Sequence, residues 1–131
     1  MRNKYADRSA VDWYVKEFTS GQVDIYNAPH GLKSGSGDIF NMWDTIIMDK
    51  GFSRLHFIQI CEEGHRNKCI QEHDLLNEEK YVICDSICYV LLTFKKVRGK
   101  YRFKVFHIMM KGRGEDAWLE IVPIAENLNG H

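Results

Sequence analysis

The chain has 131 residues, enough to bury one substantial core, so no metal or disulfide staple is required for folding. Eighteen basic and eighteen acidic residues cancel to zero formal charge, which removes the simplest argument for a nucleic-acid or membrane-surface protein. The first ten residues hold no signal-like apolar run and no stretch of about 18 uncharged apolar residues follows, so a cytoplasmic protein is expected, its four cysteines reduced or metal-bound.

One domain is expected over residues 1–131, with frayed ends at about 1–6 and 125–131. Residues 7–19 read as a helix: Asp7 is placed to cap it, and Val11, Tyr14, Val15 and Phe18 fall on one face. Val23 and Ile25 suggest a brief strand, followed by a glycine-rich loop to Gly37. Asp38 then reads as the cap of a second helix, with Ile39, Trp43, Ile46 and Ile47 on its apolar face and Gly51 ending it. From Phe52 the apolar period becomes two, predicting a strand to about Cys61. Residues 62–79 are polar with isolated apolar positions and fit either a helix or a ragged strand and loop.

The clearest element is a β-hairpin in residues 81–110, closed through Val97-Arg98-Gly99-Lys100. A two-residue turn at Arg98-Gly99 pairs Phe94 with Phe103, Leu92 with Val105 and Val90 with His107, and on the other face Lys95 with Arg102 and Leu91 with Phe106. Both faces become apolar away from the tip, so each is expected to carry something packed on it. A last strand, Trp118 to Ile124, follows a turn at Gly112–Gly114. Pro123 has no N–H to donate, which favours an edge position or a strand end.

Residues 92–107 (LTFKKVRGKYRFKVFH), an apolar strand, a charged turn with glycine, an aromatic and a strand ending near a histidine, resemble the closing hairpin of NTF2-like (cystatin-like, SnoaL-like) proteins. The helix before Thr19-Ser20-Gly21 is similar to that family's first helix. The likeness covers roughly residues 7–111. It implies an α+β cone, N-terminal helices packed on a curved antiparallel sheet, with a pocket between helices and sheet and dimerisation through the outer sheet face. Members include isomerases, cyclases and dehydratases as well as non-catalytic binders, so the fold alone does not assign an activity.

For chemistry, His107 on the inner face is the candidate general acid or base, with His56 and Asp38 as candidate partners and Asp85 a weaker one. The competing reading is an ordinary core histidine. Trp13, Tyr26, Trp43 and Trp118 are candidates to line a pocket, against the plainer reading that they are core. Cys61, His65, Cys69 and His73 recur every fourth residue, as do Cys84 and Cys88, a spacing that would suit tetrahedral zinc on a helix. The pattern matches neither a zinc finger nor a zinc ribbon, so no metal and no cofactor is expected. Lys95, Lys96, Arg98, Lys100, Arg102 and Lys104 crowd the hairpin tip with Tyr101, Phe103 and Phe106 interleaved, but charged tips commonly serve solubility and the acidic stretch Glu62–Glu79 is available to compensate. The loop Gly31–Gly37 lacks the Gly-Lys-Ser/Thr order of a phosphate loop.

The reading that needs fewest coincidences is a non-catalytic interaction or inhibitor protein. It self-associates as a homodimer, or binds a protein partner, through Ile87, Tyr89, Leu91, Phe106, Ile108 and Met110 on the outer sheet face. The alternative is an enzyme of the isomerase, cyclase or dehydratase type, acting on a small apolar ligand with His107 as acid/base. A zinc-stabilised or nucleic-acid-binding domain is a further alternative.

Overall fold

A computed structural model describes residues 4–28 and 42–127. It is an α+β fold: helix α1 (Lys4–Phe18), strands β1 (Val23–Asn27), β2 (Thr45–Asp49) and β3 (Arg54–Glu62), a short helix α2 (Arg66–Glu72), then β4 (Ile87–Val97), β5 (Lys100–Lys111) and β6 (Trp118–Asn127). The six strands form one sheet in chain order. Every neighbouring pair is antiparallel except β3 and β4, which run parallel. The sheet is therefore mixed, not wholly antiparallel as expected. A parallel pair requires a long crossover, and residues 63–86 supply it, carrying α2 over one face of the sheet.

The helix expected over 38–50 is not formed: residues 45–49 are strand β2. Trp43, Ile46 and Ile47 do fit helical spacing, but Thr45-Ile46-Ile47 is a run of three β-branched residues. Their χ1 freedom is restricted in a helix and suits a pleated strand. As a strand, the run sends Ile47 to the α1 face and Ile46 to the opposite one, and Gly51 sits in the β2–β3 turn. Asp38 and Ile39 lie outside the described residues. Asp7 lies inside the first turn of α1 instead of capping it.

The hairpin follows its expected register, from Val90 opposite His107 to Val97 opposite Lys100. Its two turn residues, Arg98 (φ 52°) and Gly99 (φ 81°), are both left-handed, the type I′ geometry that matches strand twist. β6 continues three residues beyond the expected end because a bulge opposite Val105/Phe106 absorbs Ile124, after which Ala125 to Asn127 pair again. Residues 125–127 are thus strand, and Pro123 lies on an edge strand.

Each face of the sheet has its own core. On one, Ala10, Val11 and Tyr14 of α1 pack on Ile47, Ile58, Val90, Leu92, Phe103 and Val105. On the other, Met42, Trp43, Cys69 and Leu75 cover Leu91, Phe106, Ile108 and Leu119. Among the described residues no helix is long and apolar enough to cross a membrane.

Candidate functional site

The parallel β3–β4 junction sets His56 opposite Cys88, and the hairpin register sets His107 opposite Val90, so both imidazoles and the thiol share the α1 face. Tyr14, one helical turn before the end of α1, meets them. Its Oη lies 2.7 Å from His56 Nδ1, with the rings edge to face. Burial pushes the Tyr14 phenol far up, with Cys88 adding and Arg54 opposing, so the phenol stays protonated and donates. Neutral His56 then accepts at Nδ1 and carries its proton on Nε2. The Nε2 atoms of His56 and His107 are both buried without a hydrogen-bond partner among the described residues.

Both histidines are held neutral at pH 7. Burial lowers the His56 pKa, Arg54 and His107 lower it further, and Asp49 opposes them; burial and then Arg54 lower that of His107. The Cys88 thiol is pushed up by burial and is no nucleophile in this state. The cluster can accept protons, and its third expected member, Asp38, falls outside the described residues. Asp85 sits in an exposed turn before β4. Tyr14 was missed from sequence because it reads as one more apolar helix position.

A pH dependence follows. A histidine whose folded pKa lies below its unfolded value of about 6.5 binds fewer protons when folded. Its contribution is therefore complete above about pH 6.5 and is lost as pH falls toward the folded pKa. Urea midpoints are expected to fall from pH 7.5 to pH 5.5, and His107→Gln should flatten that decline; a midpoint constant over this range would contradict the assignment. The carboxylates titrate lower and separately. Burial pushes Asp49 and Glu63 up, but hydrogen bonds from Ser20, Phe52 and Gly51 to Asp49, and from Lys104 and Arg102 to Glu63, outweigh it and leave both below their usual range.

The other expected constellations are dispersed. Trp13 stacks on Phe103 at 5.7 Å in the α1-side core, and Trp43 stacks on Tyr89 at 5.6 Å on the opposite face. Tyr26 and Trp118 are exposed, so the four aromatics line no common pocket. A cleft of about 370 Å³ does open between α1 and the sheet, but Asp7, Asp12, Asp44, Asn27, Val11 and Ile60 line it. Of the candidate zinc ligands, Cys61 and Cys69 meet: their mutual hydrogen bond, then burial, pushes the Cys61 thiol well up. His65 is exposed beside Glu62, and among the described residues no group of three or more Cys, His, Asp or Glu is placed to hold a metal.

At the hairpin, Glu63 compensates part of the basic tip, holding Arg102 Nη2 at 3.1 Å and Lys104 Nζ at 3.0 Å. Phe103 and Phe106 are buried and offer no ring for a base to stack on. Leu91, Phe106 and Ile108, expected to face a partner, are covered by the chain's own crossover, while Ile87, Tyr89 and Met110 are half-buried. The sequence shows that the outer face is apolar. It does not show that residues 63–86 return to cover one half of it.

Among the described residues the cover is incomplete at the β1–β3 side. The register carries an outer row from Tyr26 through Ile46 to Phe57 and a second from Met48 to Leu55. Tyr26 is 59% and Met48 47% exposed, with Ile46, Leu55 and Phe57 half-buried between them. Among the described residues, the fold is an α+β domain whose outer sheet face is apolar, covered on one half and open on the other. No protein-family model matches the chain, and no curated protein or solved structure matches it either.

Proposed function

We propose that this is a non-catalytic interaction protein on an NTF2-like plan that self-associates through the outer face of its sheet. The observation that carries the reading is the apolar surface of β1–β3 left open among the described residues, where adjacent strands carry exposed Tyr26 and Met48 and half-buried Ile46 and Leu55. Neighbouring apolar side chains on adjacent strands form a contiguous patch, the kind of surface that serves association. The long helix laid across the other sheet face supports the NTF2-like plan; the parallel β3–β4 pair departs from it.

A second copy is the occupant that the charges favour. Asp24 and Lys50 pair at 3.0 Å where β1 begins and β2 ends, both exposed. A two-fold axis passing between the two would set each acid against the base of the other copy. Zero net charge adds no repulsion between copies. The histidine cluster supports an acid/base role less well, since the cleft between α1 and the sheet is lined by other residues.

The double variant Tyr26→Ser/Met48→Glu is expected to remain folded and elute as a monomer in size-exclusion chromatography with light scattering. Circular dichroism checks that both proteins are folded. A dimer unaffected by the pair of changes would overturn the assignment of this face.

A further inference from the structure

A second surface lies at the far side of the sheet and is independent of the dimer reading. The bulge between β5 and β6 leaves Ile124 outside the ladder and opens a groove of about 360 Å³ on the outer face. Phe106, Pro123, Ile124 and Ala125 give it an apolar lining, and Arg66 and Lys104 stand beside them with Glu126. Its volume falls in the range of small-ligand sites.

The charges set what it would take. The Arg66 guanidinium lies 4.9 Å over the Phe106 ring and has no carboxylate partner among the described residues. Stacking on a ring face holds the planar fork while leaving its N–H edge free to donate. Lys104 contacts Glu63 at 3.0 Å and reaches Glu126 only at 4.0 Å. Glu63 is also held by Arg102 through both carboxylate oxygens. Three cations here face two carboxylates, and the surplus is on Arg66. We propose that this groove binds a small amphiphilic carboxylate, an aryl or alkyl acid, with its charge on Arg66 and Lys104 and its apolar body on Pro123, Ile124 and Ala125.

The probe is 2-naphthoate, with 2-naphthamide as its uncharged analogue, titrated while backbone amide resonances are recorded. Naphthoate is expected to shift Phe106, Ile124 and Ala125 with a Kd of about 1 mM or tighter, and the amide to bind at least about tenfold more weakly. Arg66→Gln should weaken naphthoate by a similar factor. Ile124→Glu places a carboxylate in the groove at a position outside the ladder and should abolish binding with the spectrum otherwise retained. Equal binding of acid and amide, indifference to Arg66→Gln, or no shift at these residues would each overturn the proposal.

Discussion

Phe103→Ala is expected to destabilise the protein by about 3–5 kcal/mol, the range for emptying a buried aromatic site. Phe103 is 1% exposed, stacks on Trp13 at 5.7 Å and on Tyr101 at 6.3 Å, and stands opposite Phe94. The neighbouring backbone cannot close the hole, because β5 is hydrogen-bonded to β4 on one side and to β6 on the other. Trp13 also loses a ring surface on which α1 is seated, so the loss reaches the contact between helix and sheet. Urea unfolding followed by tryptophan fluorescence measures it. A change below about 1 kcal/mol would mean that α1 does not rest on this part of the sheet.

Asp44→Ala should cost about 1–3 kcal/mol, the penalty for removing the acceptor of a buried hydrogen bond. Asp44 is 1% exposed, and its carboxylate accepts from the Ile60 N–H at 2.6 Å. Its backbone ties two further segments together, accepting from the Ala28 N–H at 2.7 Å and donating to the Ile58 carbonyl at 2.9 Å. One residue thus joins the end of β1, the start of β2 and the upper part of β3. Asp44→Asn keeps an acceptor at the same place and should cost less. Equal losses for Ala and Asn would show that the charge, not the bond to Ile60, stabilises this junction.

The parts of this fold legible in the sequence are those whose geometry is local. Arg98-Gly99 fixes the hairpin register because a two-residue turn leaves no freedom in the pairing, and that register placed His107 beside Val90. The two apolar faces of β4 and β5 signalled cover on both sides, and both are covered. What did not show was non-local. The Tyr14–His56 bond spans 42 residues, and nothing in either neighbourhood marks it. The parallel β3–β4 pairing depends on the path of the crossover, whose seven-residue helix is too short for a clear periodic pattern. At 45–49 the apolar spacing and the β-branched run pointed to different structures, and the partners on β1 and β3 decided for the strand. The site expectations moved with these elements. The outer face is apolar as read, but among the described residues its open half lies on β1–β3, not on β4–β5.

Sedimentation equilibrium of the unmodified protein over a wide concentration range tests the proposed self-association most directly. A monomer–dimer equilibrium that shifts to the monomer in Tyr26→Ser/Met48→Glu is the expected result. A wild-type protein that remains monomeric at the highest concentration would contradict it.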